Sequence, residues 1–216
     1  MMARVQKAGA TNLSEARSDA QTQRRRKDIL TATAAVIAKH GLSNTTIERV
    51  ALKAGVSPGL VILYFKRKEL LLLDALKWVA DDFDDARKAA VARAGGDPER
   101  ALLGLIDVTF DAKVSSPERV AVWYAFWGEA NARSVYLDRV GAADQGYEDD
   151  IIAVVRELIA KGGYDGLDAE AVAIGFTGLL EWLWQDILTE GRKFDRRRAV
   201  RLARSYLTGI FQRHFR

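Results

Sequence analysis

An all-helical chain is what this sequence predicts, on three observations. Leucine and alanine are abundant, while proline occurs only three times in 216 residues. Apolar side chains recur at three- and four-residue spacing. No stretch shows the period-2 alternation of a half-buried strand. With 49% hydrophobic and 29% charged residues, the balance is that of a globular protein.

The elements follow in order. Residues 1–22 are small and polar with few apolar anchors and read as a flexible basic tail, with Ser14–Arg17 a soft early start for a helix. Residues 24–40 read as an amphipathic helix carrying Ile29, Ala32, Thr33, Val36, Ile37 and His40 on one side, ended by Gly41. Thr46 caps a short helix over Ile47–Ala54, with a turn at Gly55. Ser57 caps the next, with Pro58 at its first position, where a missing N–H does no harm. After a break at Tyr64-Phe65-Lys66, a long helix from Lys68 to about Ala92 ends in Gly95-Gly96-Asp97-Pro98. Further helices are predicted near 98–114, 117–132, 134–161, 168–190 and 195–213, about nine in all. The boundary near Arg133 is the one without a breaker.

Composition excludes several chemistries. Without cysteine there is no disulfide, thiolate nucleophile, iron–sulfur cluster or cysteine-containing zinc site. His40 and His214 alone supply imidazole, so no metal site or cofactor is expected. No G-x-S-x-G, Walker A, G-x-G-x-x-G or H-E-x-x-H motif is present. Asp81-Asp82 and Asp149-Asp150 are sequence neighbours that point to different sides of a helix. An enzyme is not expected. The most apolar stretch, Ala171–Trp184, is interrupted by Glu181 and falls short of the roughly 20 residues a membrane span needs. No membrane partner is expected, and the expected location is the cytoplasm.

Charge is segregated. Residues 1–70 hold 13 Lys/Arg against 5 Asp/Glu, residues 71–190 hold 11 against 23, and residues 191–216 hold 9 against 1. A basic N-terminal third suggests a polyanion partner, and an acidic middle does not. The simplest division is a nucleic-acid-binding part and a second part with another task. A charge run that is merely a solvated face is the plainer alternative.

The densest signal is Thr46–Lys68, TIERVALKAGVSPGLVILYFKRK. Two short helices joined by a tight Ala-Gly turn form a helix-turn-helix pattern. Ala51 faces the second helix, where a larger side chain would prevent close crossing. Gly55 provides the positive φ of the turn. Val50, Val56 and Val61 fill the space between the helices. A chance helical hairpin is the alternative. Arg24-Arg25-Arg26-Lys27 sits at a helix start, where cations oppose the dipole. That placement favours a phosphate or minor-groove contact over a solvated cluster.

The run from Arg25 to Ala75 resembles the DNA-binding domain of the TetR family of bacterial repressors. The resemblance rests on Gly41, Thr46, Ala51, Ala54-Gly55-Val56-Ser57, Gly59, Tyr64-Phe65, Lys68 and Leu71. Trp123-Tyr124-Ala125-Phe126-Trp127 and Gly178–Trp184 are similar to the BetI-type branch, which includes choline-responsive repressors. The resemblance implies a helix-turn-helix DNA-binding domain over 23–68 and a larger helical effector-binding and dimerisation domain over 69–216. By position, Thr46, Tyr64 and Lys68 would hold phosphates, and Ser57, Pro58, Gly59, Leu60 and Leu63 would face bases. The partners implied are a pseudo-palindromic double-stranded operator, a second copy of the chain and a small-molecule effector whose binding releases DNA.

This chain departs from that pattern on its reading helix. Where the family often has tyrosine, and the BetI type serine, Ile62 stands; Leu63 replaces a histidine or another polar or aromatic residue. No side chain from Pro58 to Leu63 forms hydrogen bonds, so reading must lean on thymine methyls, backbone positioning and DNA shape. Leu63 packed against the following helix is the alternative.

Five tryptophans lie beyond the helix-turn-helix. Trp78, Phe110, Trp123, Phe126, Trp127 and Phe176, with Glu129 as a carboxylate beside Glu181 and Asp111, are the candidate effector residues. Aromatic faces with a nearby carboxylate suit a quaternary ammonium; a neutral aromatic or acyl compound, or a plain apolar core, is the alternative. Gly175, Gly178, Leu179 and Trp182 of the penultimate helix, with Leu202, Tyr206 and Ile210 of the last, form the expected dimer face, and Arg196–Arg198 are expected in solvent. Against the regulator stands a helical protein-interaction module without sequence-specific DNA binding, which would lack a salt-dependent affinity for DNA.

Overall fold

Local side-chain caps set most helix starts. The structure, a computed structural model, describes residues 2–215, with side chains described outside 2–18, 130–132, 135–136, 139–140, 142–144 and 192. Nine α-helices occur among these residues: α1 Met2–His40, α2 Ile47–Ala54, α3 Pro58–Phe65, α4 Lys68–Ala94, α5 Pro98–Thr109, α6 Pro117–Gly128, α7 Ala130–Gly162, α8 Ala169–Glu190 and α9 Arg196–Ile210, with a 3₁₀ turn at Gly191–Lys193 before α9. Thr46, Ser57, Asp97, Ser116, Asp168 and Asp195 each accept a backbone N–H from the first turn that follows. The backbone of α1 begins at Met2, within the segment read as a tail; the side chains of residues 1–18, on which that reading rested, lie outside those described.

The chain divides into two compact units, Met1–Ala75 and Leu76–Arg216. In the first, Ile29, Ile37, Val50, Ala51, Val61, Phe65 and Leu71 are buried. Ala51 is covered as its place at a close helix crossing requires, and Gly55 takes φ +65° while its N–H and that of Val56 close the end of α2. In the second, Leu102, Ile106, Ile151, Leu158, Phe176, Leu183 and Phe211 centre the core among α5, α7, α8 and α9.

Besides the start of α1, α3 runs on through Tyr64 and Phe65, so that the expected break narrows to Lys66-Arg67, α9 ends at Ile210 and not near 213, and two more boundaries differ from expectation. α5 stops at Thr109, five residues early, because the guanidinium of Arg196 takes the Phe110 carbonyl at 2.9 Å and the Ser115 carbonyl at 2.7 Å and holds the intervening turn. Arg196 is therefore half-buried, whereas Arg197 and Arg198 are in solvent as expected. The other is the break after α6, which falls at Glu129 (φ −92°, ψ 114°) and not near Arg133.

Two described non-glycine residues have positive φ, Lys66 and Phe215, and the first is held in a strained conformation. Lys66, directly after α3, has φ 68° and ψ −53°, and the Arg67 N–H donates to the Phe65 carbonyl at 2.8 Å. This is a γ-turn of the rarer hand, disfavoured for any residue with a Cβ. Lys66→Gly is expected to raise the unfolding free energy by about 1 kcal/mol, the relief of strain exceeding the chain entropy added to the unfolded state. Chemical denaturation checks this; an unchanged or lower midpoint would contradict it.

Candidate functional site

The first unit presents α3 to solvent. Val61 and Phe65 anchor it, and Pro58, Gly59, Ile62 and Leu63 face outward, with Leu60 and Tyr64 half-buried. Leu63 is 65% exposed, so it does not pack on the following helix. Ser57 spends its hydroxyl on the Leu60 N–H at 3.2 Å, and Thr46 spends its own on the Arg49 N–H at 3.3 Å. The Lys68 ammonium donates to the Ser43 carbonyl at 2.9 Å, which closes the loop before α2 and fixes the amine near the α2 N-terminus. Leu52 on α2 is 84% exposed; the sequence reading did not single it out, since a lone apolar residue on a short helix carries no periodic signal.

The basic cluster divides. Arg24 and Arg25 are in solvent. Arg26 is half-buried: it pairs with Asp74 at 2.5 Å, donates to the Tyr64 carbonyl at 3.4 Å and lies 4.6 Å from the Phe65 ring centroid. Its charge is committed within the fold, where it ties α1 to the end of α3 and to α4. It acts as a clamp there, and Arg24 and Arg25 are the members of the cluster that stand in solvent.

In the second unit, aromatic rings from four helices meet. Phe83 of α4 lies 6.4 Å from Trp123 of α6, 6.1 Å from Tyr147 of α7 and 6.2 Å from Trp184 of α8. Trp123 meets Trp184 edge-on at 6.2 Å, and Tyr124 lies 6.0 Å from Trp184. Two arginines border the cluster. Arg119 stacks 4.2 Å over Trp78 and pairs with Asp82 at 2.7 Å. Arg87, only 4% exposed, lies 5.3 Å over Tyr147 and bridges Asp84 and Asp150. Against the pull of burial, bonds from Lys88 and Arg87 hold the Asp84 carboxyl below its usual range.

The phenols are held neutral. Burial, with the nearby Glu181 charge adding and Gln185 opposing, pushes Tyr124 up to about 12. Burial, opposed by Thr109 and Arg87, does the same for Tyr147. A raised acid favours its neutral form in the fold, so the contribution is complete below pH 10 and is lost as pH rises toward 12. An ultraviolet titration of the folded protein should show two phenols, those of Tyr124 and Tyr147, still neutral above pH 10, and burial raises Tyr206 as well; loss of both signals by pH 10 in Tyr124→Phe and Tyr147→Phe difference titrations would contradict this.

Of the expected effector residues, Trp123 lies in the cluster, and Trp78 has one face covered by Arg119, which stands one turn before Trp123 on α6. Phe110 packs on Phe194 and Phe176 stacks on Tyr206, both in the core, and Phe126 is buried. Trp127 is 49% exposed with Arg133 over its ring, and Glu129 begins α7. Asp111 sits in the turn held by Arg196 and accepts from the Lys113 N–H. The sequence reading missed Phe83, Tyr124, Tyr147 and Trp184. Among these, the Trp182-x-Trp184 spacing carried the available signal: residues two apart on a helix face different ways, so one of the pair belongs inside.

On α8, Ile174, Gly178 and Trp182 form an outward stripe at four-residue spacing; Trp182 is 56% exposed and a Cβ on Gly178 would meet nothing within 4 Å. Leu179, Leu202, Tyr206 and Ile210 are half-buried beside it. Gly175 is used differently: a Cβ there would come within 2.3 Å of the Tyr206 hydroxyl, so its smallness serves packing within the subunit. Among the described residues no helix is long and apolar enough to cross a membrane, and no group of three His, Asp or Glu could hold a metal.

Residues 29–75 match the profile described as bacterial regulatory proteins, tetR family, and residues 98–212 match that of the BetI-type transcriptional repressor, C-terminal. The HTH-type transcriptional regulator BetI of Paraburkholderia xenovorans is 27% identical over 183 residues, covering 85% of this chain and 91% of its own. A transcriptional regulator from Pseudomonas aeruginosa PAO1 superposes with TM-score 0.69 at 27% identity, covering 90% of this chain and 95% of its own. A regulator from Saccharomonospora viridis, crystallised in complex with choline, shares the fold at TM-score 0.64 and 21% identity, covering 86% of this chain and 96% of its own.

Proposed function

This chain belongs to the TetR family of bacterial regulatory proteins, in its BetI-type branch, and on that premise we propose that it is a repressor that holds a pseudo-palindromic operator as a homodimer and releases it when a small molecule enters the ring cluster. The observation that carries the proposal is α3. It is pinned by Val61 and Phe65, capped at its start by Ser57, and turns Pro58, Gly59, Ile62 and Leu63 outward. A helix so placed enters a major groove, and a dimer presents two of them roughly 34–36 Å apart, or a multiple of that. Acting on DNA, it works in the cytoplasm.

Roles follow from reach. Thr46, Tyr64 and Lys68 contact phosphates, as do Arg24 and Arg25 from α1. Ser57, Pro58, Gly59, Leu60 and Leu63 lie against base edges, where the leucines offer only apolar contact with thymine methyls. Lys68→Ala should weaken operator and random duplex alike and lower the salt slope of binding by about one. Leu63→Ala should weaken the operator alone. Fluorescence anisotropy across a salt series separates the two. Binding to no duplex at low salt would return the chain to a protein-interaction module.

A second reading of the effector, a quaternary ammonium, draws support from the Glu181 charge beside Tyr124, from the aromatic faces, and from the choline bound to the Saccharomonospora viridis regulator.

A further inference from the structure

A buried hydrogen-bond donor without an acceptor is unfavourable, and folded proteins keep few of them. Among the described residues, three shielded nitrogens donate to nothing: Nε1 of Trp184, inside the ring cluster, and Nε1 of Trp78 and Nη1 of Arg119, which stack on each other. They belong to one connected group. Arg119 stacks on Trp78, and one turn further along α6 Trp123 meets Trp184. Half of the Arg119 fork is used on Asp82, and the other half is free. The Asp82 carboxylate is thus already paired; beside Trp184 the Tyr124 hydroxyl is also without a partner, and the three nitrogens lack acceptors.

Taking the ring cluster as the effector site, we infer that the effector joins an apolar body to a head group that accepts hydrogen bonds: a carboxylate, carbonyl or ester oxygen. The indole N–H groups of Trp78 and Trp184 and the free half of Arg119 hold that oxygen, and the rings of Phe83 and Trp123 cover the apolar body. A trimethylammonium head group has no acceptor. It would leave all three donors unsatisfied and meet the charge of Arg119, whose approach to Trp78 already occupies one aromatic face. An anionic head adds a charge-assisted bond to Arg119.

Three probes with the same eight-carbon tail test the inference by calorimetry on the intact protein: octanoate, octanamide and octyltrimethylammonium. Octanoate and octanamide are expected to bind at least about tenfold more tightly than the ammonium, the difference one or two such bonds make. Trp184→Phe keeps a ring and deletes the N–H. It should weaken the first two probes about tenfold and leave the third unchanged, with Trp78→Phe as the independent second variant should either fail to fold. Ammonium binding equal to or tighter than the others, or tryptophan variants that bind every probe as the wild type does, would overturn the acceptor inference and leave the ring cluster as the effector site. Failure of all three probes to bind, with duplex binding intact, would overturn the ring cluster itself.

Discussion

With Gly178 and Trp182 both replaced by glutamate, the protein is expected to be a monomer that retains its fold and loses operator affinity by a factor on the order of 100 or more. The stripe they occupy on α8, continued by Ile174, faces outward and is apolar along its length. A self-complementary patch of this kind doubles itself across a two-fold axis, and four introduced carboxylates per dimer would face each other in a dehydrated seam. Operator affinity falls because the second half-site then has to be bound from solution and no longer benefits from the tether. Sedimentation or light scattering reads the mass, and circular dichroism checks the fold. A wild-type chain that is monomeric at micromolar concentration would remove the architecture; a double variant that stays dimeric would move the interface elsewhere.

The second large effect is on stability. Arg87→Ala is expected to lower the unfolding free energy by about 3 kcal/mol, the low end of the range for removing one member of a buried ion group. The guanidinium is nearly inaccessible and neutralises Asp84 and Asp150, while Asp150 keeps access to water and Asp84 keeps Lys88. That access limits the loss. Replacing Arg87 by methionine and Asp84 by leucine together should recover most of it, because an apolar pair of similar volume needs no charge compensation. Denaturation curves of the single and double variants check both statements. A double variant no more stable than Arg87→Ala would mean that the ring packing against Tyr147, and not the charge, was lost.

What the sequence made legible was local. The caps at Thr46 and Ser57 act within three residues of themselves, and a glycine at positive φ marks the turn at residue 55. Those features are written in the residues that perform them. The end of α5 was not legible, because it is set by Arg196, more than 80 residues away. Nor was the role of Arg26, which depends on Asp74 arriving beside it. The ring cluster was half legible. Trp123 announced it, but Phe83, Tyr147 and Trp184 come from three other helices, and periodicity gives a helix face without naming its neighbour. Phe110 and Phe176 lie in the core of the second unit, packed against Phe194 and Tyr206.

The outward apolar face of α3 has a thermal consequence. A reading helix that binds through hydrogen bonds buries little apolar surface; one that offers Leu63 and Ile62 removes that surface from water when it seats in the groove. Association then carries a negative heat-capacity change beyond what phosphate contacts give. The two parts of the affinity also separate with ionic strength: the phosphate part fades as salt rises, while the apolar part does not. At high salt what is left of binding should be the portion that distinguishes one sequence from another, and that portion should weaken on cooling, as hydrophobic association does.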